Sequence, residues 1–280
     1  MTMKWRCSDH TFDFSKQGEI MGILNVTPDS FSDGGRYDSV ASAVDQAQTL
    51  IKEGAAIIDI GGESTRPGAP EVSAEEECRR VIPVIEALTL SNPEVVISID
   101  TSKPEVAEKA IAAGAKIIND VTGCRDPEMI SLAARTGAGL VGMHMQGTPR
   151  TMQSAPVYED VVSEIRDFFA KRHASFLEAG VDPETIVYDP GIGFGKTQEH
   201  NLTLLKHLDQ LVIEGRPLLL GVSRKSFIGK AIGSDEIGDR DWPTVAITSL
   251  ATELGVPLHR VHDVKPNYEA LRMTESILPK

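Results

Sequence analysis

Basic residues are in the minority in this chain, and cysteine and aromatic residues are scarce. Lys and Arg total 28 against 41 Asp and Glu, a formal net charge of −13. Nonspecific nucleic-acid binding requires a basic surface, so the charge argues against that class. A small anionic substrate is not excluded. At cellular salt, screening acts over about 8 Å, and a local basic cluster outweighs distant acids. The 3 cysteines, Cys7, Cys78 and Cys124, are far apart and include no C-x-x-C. They read as reduced, buried thiols, the usage of a cytosolic protein, so a cytoplasmic location is expected. No apolar run approaches the roughly 20 residues that a membrane helix needs. The opening residues, with Lys4, Arg6 and Asp9 around Trp5, lack the apolar stretch of a signal peptide. No G-x-G-x-x-G follows the first apolar run, which counts against a dinucleotide-binding fold. Internal repeats, low-complexity tracts and breaks in composition are also missing. One domain over 1–280 is therefore expected, with 41% hydrophobic residues to fill its core.

What is present is a repeated unit of apolar run, polar residues and helical pattern. Runs of strand length fall at 20–26, 56–60, 95–100, 116–119, 140–145, 185–189, 217–222 and 258–262. Their Ile, Val and Leu are continuous rather than alternating, which suits parallel strands buried on both faces. The segments between them read as helices. Ser73 and Glu76 form a capping box ahead of Val81, Val84, Ile85 and Leu88. Pro104 opens a helix and Gly114 follows its end. Over 158–179, Val161, Val162, Ile165, Phe168, Phe169, Phe176 and Leu177 share one stripe. Further helices are expected at 246–254 and 268–278. Strict alternation predicts an α/β fold of the (β/α)8 TIM-barrel type rather than an open doubly wound sheet. Residues 1–18, around Trp5, Phe12 and Phe14, are expected to form a short hairpin capping the barrel's N-terminal end.

Side chains at the C-terminal ends of barrel strands meet at one mouth. In order these are Asn25; Glu63-Ser64-Thr65-Arg66; Asp100-Thr101-Ser102; Asn119-Asp120; Met143-His144-Met145-Gln146; Asp189 followed by 190–196; Ser223-Arg224-Lys225-Ser226; and Arg260-Val261-His262-Asp263. Strand-end Asp and Asn often cap the next helix, but that explains the whole set poorly. Asp100, Asn119 and Asp189 offer acceptors and an amide, which suit a flat heterocycle bearing several N–H donors. Lys225 is placed to donate to a ring carbonyl. Asn25, Arg66, Arg260 and His262 suit a phosphate-type anion, with the Asn25 amide oxygen a fitting ligand for a bridging Mg2+. Ser226, at a helix start, faces a second anion such as a carboxylate.

These segments, together with 25–35 and 59–68, closely resemble the dihydropteroate synthases of folate biosynthesis, a family of pterin-binding enzymes. The resemblance runs from about Met21 to the C-terminus and rests on several motifs in order; the glycine-rich 191–195 alone would be a weak signal. It implies condensation of 6-hydroxymethyl-7,8-dihydropterin diphosphate with 4-aminobenzoate, giving 7,8-dihydropteroate and pyrophosphate. It also implies Mg2+, a homodimer and sensitivity to sulfonamides. Asp189 would pair with the pterin's amino group and ring N–H. Asn119 and Asp100 would meet the remaining ring edge, and Lys225 the carbonyl and N5. Arg260 would stack on the ring, with Met143 and Phe194 bordering it. Asn25, Thr65, Arg66, Arg260 and His262 would hold the diphosphate, with Mg2+ on Asn25. Phe31, Thr65, Pro67, Ser223, Lys225 and Ser226 would form the aminobenzoate pocket. Asp100, Asp189, Lys225 and Arg260 would carry the catalysis by opposing a pterin-methylene cation and its leaving anion. The loops 27–37 and 64–72 are expected to order over that cation. Two segments depart from the family pattern, Asp241-Trp242-Pro243-Thr244 and 255–259; both fall on the flank used for the dimer.

Other features read more plainly. Glu75, Glu76 and Glu77 sit in a helix's first turn, where acids favour the dipole. His10, His173, His200 and His207 are expected at the surface or in packing, and Lys196 in a structural role. His144 is read equally as pocket wall and as barrel support. Asp120 and Asp263 are expected to orient neighbours or cap helices. Two rival functions stand beside the main one. A pterin-binding methyltransferase domain would share the barrel but have no use for Arg66 and Ser226. A non-catalytic barrel binding protein would show gaps in the strand-end set.

Overall fold

The computed structural model describes residues 3–27, 36–64, 69–148 and 151–279, without the side chains of 36–39. Among the described residues a two-stranded hairpin precedes eight strands that are separated from one another by helices. An antiparallel hairpin, β1 (Lys4–Cys7) and β2 (His10–Asp13), comes first. Then follow β3 (Glu19–Asn25), α1 (Arg36–Lys52), β4 (Ile57–Gly61), α2 (Ala74–Ser91), β5 (Val96–Asp100) and α3 (Pro104–Ala112). β6 (Ile117–Asp120), α4 (Pro127–Thr136), β7 (Gly139–Met143), α5 (Val161–Glu178), β8 (Ile186–Asp189) and α6 (Gln198–Lys206) continue the series. It ends with β9 (Leu219–Gly221), α7 (Ser226–Ile232), α8 (Asp241–Glu253), β10 (Leu258–Val261) and α9 (Val264–Ile277).

The eight strands from β3 to β10 are all parallel, in the order β8-β7-β6-β5-β4-β3-β10-β9. A parallel bridge between Tyr188 and Leu218 closes the seam between β8 and β9, where the Tyr188 N–H donates to the Pro217 carbonyl at 3.1 Å. The expected (β/α)8 barrel is present.

Strand alternation decides what each face buries. Outward residues such as Ile58, Ile60, Ile97, Ile99, Leu140 and Ile186 join Val81, Ile85, Leu88, Ile165 and Phe169 of the surrounding helices in one core. Inside the barrel, each strand contributes one apolar residue to a bottom layer: Met21, Ile57, Val96, Ile117, Val141, Val187, Leu219 and Leu258. Trp5, Cys7 and Phe12 of the hairpin pack onto that layer. The Trp5 indole N–H donates to the Thr185 carbonyl at 2.8 Å. The hairpin is therefore a plug for the barrel floor, and polar chemistry is confined to the opposite end.

Local expectations hold with small shifts. Ser73 caps α2 by accepting from the Glu76 N–H. All three cysteines are free and buried. On α5 the stripe is buried at Val161, Ile165, Phe169 and Phe176, but Leu177 is exposed. Its position at the last turn carries it past the edge of the covered face. Two helices start earlier than the periodicity suggests. α8 begins at Asp241 because Pro243 lies in its first turn, where a missing N–H costs nothing. α9 begins at Val264, four residues before the expected 268. Among the described residues no helix is long and apolar enough to cross a membrane.

Candidate active site

The interior changes character above the bottom layer. Strand register sets Asn25, Gly61, Asp100 and Asn119 at one level on adjacent strands. Arg260 starts lower, opposite Met21 on β3 and Gly221 on β9, and its long side chain rises toward them. Its Nη2 donates to Asp100 Oδ2 at 2.6 Å and its Nε to Asp59 Oδ2 at 2.6 Å. Asn119, nearly fully buried, turns its amide N–H to the same Asp59 oxygen at 3.0 Å. Charge and burial pull against each other here. Burial pushes the Asp100 carboxyl up, Arg260 opposes it, and the negative charge of Asp59 adds to the rise, giving a pKa of about 7. Burial would lower the Arg260 pKa, but Asp59 and Asp100 more than compensate and hold the guanidinium charged.

Asp189 closes the other side. It is buried at the end of β8, and its Oδ1 accepts the Gly191 N–H at 2.7 Å. Burial raises its pKa, while Lys225 is the largest opposing influence. Lys225, just before α7, donates from Nζ to the Ile192 carbonyl at 2.5 Å and lies 4.6 Å above the Phe194 ring. Burial lowers its pKa to about 8 despite the attraction of Asp189. Phe194 also packs with Met143, Val121, Met145 and Met152, so the mouth has one apolar flank.

The turn carrying these contacts, 190–195, is fixed from below. Lys196 is buried, and its Nζ donates to the carbonyls of Gly191 (2.9 Å) and Phe194 (3.0 Å) and lies 3.0 Å from His144 Nδ1. Its structural role is thereby established, and His144 belongs to the same support. Burial and the nearby Lys196 lower the His144 pKa to about 3, so the imidazole is neutral and can accept an N–H from Lys196, whose own pKa burial also lowers. Asn201 Oδ1 accepts the Gly193 N–H at 2.7 Å, and the Tyr158 hydroxyl donates to the Gly195 carbonyl at 2.8 Å. A Cβ at Gly191 would lie 1.9 Å from the His144 carbonyl oxygen, and its φ is +64°. Only glycine fits there.

At the ends of β9 and β10, Ser223 is buried, and its hydroxyl accepts the His262 N–H at 3.1 Å and lies 2.9 Å from His262 Nδ1. Ser223 therefore orients His262. Ser226 is exposed at the first position of α7. Arg224 (φ +59°) does not face the mouth. Its guanidinium pairs with Asp241 at 2.6 and 3.1 Å, and its N–H reaches Thr244 Oγ1 at 3.4 Å. The departing segment 241–244 thus buttresses the residue next to Lys225, as well as lying on the expected dimer flank. Asp120 caps locally, accepting from Thr122 and Cys124. Phe31, Thr65, Arg66 and Pro67, and most of the two expected loops, lie outside the described residues. Sequence reasoning assigned no role to Asp59 or Asn201. The Asp59 signal was legible: one acid inside the run Ile57-Ile58-Asp59-Ile60 must face inward.

The "pterin binding enzyme" family model matches residues 21–262. A dihydropteroate synthase of Escherichia coli (strain K12) is 49% identical over 259 residues, covering 92% of this chain and 91% of that protein. The Xanthomonas albilineans dihydropteroate synthase solved with 4-aminobenzoic acid superposes with a TM-score of 0.92 at 43% identity, over 100% of both chains. The Yersinia pestis dihydropteroate synthase solved with a sulfonamide drug complex gives a TM-score of 0.91 at 43% identity, over 98% of this chain and 99% of that one. With the family model matching residues 21–262 and relatives of this identity covering nearly its whole length, the chain belongs to the dihydropteroate synthase family of pterin-binding enzymes.

Proposed function

We infer that this chain is a transferase that condenses 6-hydroxymethyl-7,8-dihydropterin diphosphate with 4-aminobenzoate, giving 7,8-dihydropteroate and pyrophosphate. The observation that carries this is the convergence of Asp100, Asn119, Asp189, Lys225 and Arg260 on one barrel mouth; Asn25 and His262, at the ends of the adjacent strands β3 and β10, are read as the anion corner beside them. The reaction breaks the bond between the pterin methylene and the diphosphate oxygen, and forms one to the arylamine nitrogen, which loses a proton. No protein nucleophile is required.

Each residue has a task that follows from its position. Asp189, Asn119 and Asp100 accept the heterocycle's N–H groups, and Lys225 donates to its carbonyl. Loss of diphosphate leaves a cation on the methylene, which Asp100 and Asp189 oppose. Arg260 and His262 face the departing anion. If the Ser223 hydroxyl donates to Nδ1 of His262, the ring's Nε2 carries the proton and is the donor to that anion. Fixed charges of this kind act without reorganisation, and losing one costs about 10²-fold or more in rate. Phe31, Thr65, Pro67, Ser223 and Ser226 frame the aminobenzoate, and Thr65 and Arg66 complete the diphosphate site. A sulfonamide, competing with the arylamine, would occupy that frame.

Among the described residues no group of three or more His, Cys, Asp or Glu is placed to hold a metal. The strand-end amide of Asn25 is the oxygen ligand available, which fits Mg2+ because that ion uses few protein oxygens and takes the rest from phosphates and water. Bound there with the diphosphate, Mg2+ would neutralise the leaving group. Exposed Trp242, Leu250 and Met273 on the neighbouring helices α8 and α9 support a homodimer, and the free cysteines suit a cytoplasmic setting. The deciding assay is pyrophosphate release that requires both 4-aminobenzoate and the pterin diphosphate. Release independent of the amine, or none, overturns the reading.

A further inference from the structure

Asp59 lies one interior level below Asp100, facing Ile23 and Ser98 on the neighbouring strands. It is fully buried, in a barrel interior that ordinarily takes branched apolar side chains. Its Oδ2 accepts from both Arg260 Nε and Asn119 Nδ2, while Oδ1 has no hydrogen-bond partner among the described residues. Ser98 Oγ, its register partner on β5, has none either. A buried carboxylate with one oxygen unanswered is a poor device for stability, since an apolar residue of similar size commonly serves as well. Violations of core rules concentrate where function requires them.

Two consequences follow from the single shared oxygen. An amide has a donor end and an acceptor end, and Asp59 fixes which is which at Asn119. With Nδ2 turned down to Asp59, the amide's carbonyl oxygen points the other way, free to accept from a ligand. The Arg260 guanidinium is likewise held at two nitrogens, by Asp59 on Nε and Asp100 on Nη2, which sets the plane of the fork. We propose that Asp59 is a positioning residue for the heterocycle pocket, orienting the Asn119 amide and the Arg260 guanidinium so that the pocket accepts a ring edge bearing N–H donors. The proposal rests on the pterin-pocket reading given above.

The test compares wild type, Asp59→Asn and Asp59→Ala. Affinity for the pterin diphosphate is measured by calorimetry, KM for each substrate by pyrophosphate release, and folding by thermal melting. In Asp59→Asn the shared acceptor loses its charge, and the substituted amide can turn a donor toward Arg260 or Asn119. Pterin affinity and KM are expected to worsen about tenfold or more, the scale of one charge-assisted hydrogen bond. KM for 4-aminobenzoate is expected to stay within about twofold, because Arg260 and Asn119, the hydrogen-bond partners of Asp59 among the described residues, are not residues of that pocket. Asp59→Ala removes both orienting contacts and is expected to weaken pterin binding at least as much. A folded Asp59→Asn protein with wild-type pterin affinity overturns the proposal. So does a parallel loss for both substrates, and so does failure of both variants to fold, which would make Asp59 a purely structural residue. Wild-type protein that binds no pterin would instead overturn the pocket reading itself.

Discussion

Arg260 answers two buried carboxylates with one guanidinium, its Nη2 2.6 Å from Asp100 and its Nε 2.6 Å from Asp59. The cluster is short of positive charge. Asp100 bears the consequence: burial, Asp59, Glu77 and Asp120 all push its proton on, and Arg260 alone among the named influences pulls it off. With a pKa of about 7 in the free enzyme, it can play the part proposed for it, accepting a pterin N–H and opposing the cation, only once ionised. The kcat/KM for the pterin diphosphate is therefore expected to rise with pH through about 7. Asp100→Asn is expected to flatten that limb and cost about 10²-fold in kcat. A wild-type profile already level at pH 6 would contradict this. The sign for stability is opposite. Because the native state holds this proton more tightly than the unfolded chain, the group's stabilising contribution is present below the usual carboxylate range and is lost as pH rises through about 7.

Lys225 sets the other limb. Burial brings its pKa down to about 8, against the pull of Asp189. Donation to a ring carbonyl needs the ammonium, so the rate is expected to fall as pH passes about 8. Joined with the Asp100 limb, this gives a narrow bell in kcat/KM. In Lys225→Met the alkaline limb should vanish and pterin affinity should fall about tenfold, read by pH-rate profiles and calorimetry. An alkaline limb unchanged in Lys225→Met would assign it to another group.

The barrel and most of its mouth were legible in the sequence because parallel strands buried on both faces leave continuous apolar runs, and a polar residue ending each run has nowhere to point but the mouth. Asn25, Asp100, Asn119 and Asp189 were found that way. What stayed hidden depends on reach rather than order. Lys196 was expected in a structural role, but only the fold shows which groups it holds, its amino group turned inward onto Gly191, Phe194 and His144. Asp59 stands in plain view within its strand, yet its partners are Arg260, 201 positions away, and Asn119, 60 away. Arg224 adjoins Lys225 in sequence but is turned aside onto Asp241 by its left-handed backbone conformation. Helix starts shifted for a related reason: Pro243 ends a periodic pattern on paper but is tolerated in a first turn.

Gly191 tests how rigid the turn beneath the pterin pocket must be. A methyl group there would collide with the His144 carbonyl oxygen, which is backbone and cannot rotate away, and the residue would also be forced to a φ of +64°. Gly191→Ala must therefore displace the turn that carries Phe194 and the N–H held by Asp189. Pterin binding by calorimetry is expected to be lost, and the melting temperature to fall. Wild-type pterin affinity in Gly191→Ala would show that the turn moves freely and that Lys196 does not clamp it.

Trp5 offers the converse experiment, a large loss of stability with the chemistry intact. Its ring is fully buried against the bottom layer of the barrel, and its indole N–H satisfies the Thr185 carbonyl at 2.8 Å. Trp5→Ala removes that packing, opens a cavity beneath the bottom layer, and leaves the carbonyl without its donor. A cost of about 3–5 kcal/mol is expected, measured by urea unfolding. The floor and the mouth are opposite ends of the same strands, so the folded fraction of Trp5→Ala should keep wild-type KM values for both substrates. A selective rise in KM for the pterin diphosphate, at a temperature where the variant is fully folded, would mean that the plug reaches the active site through the barrel interior.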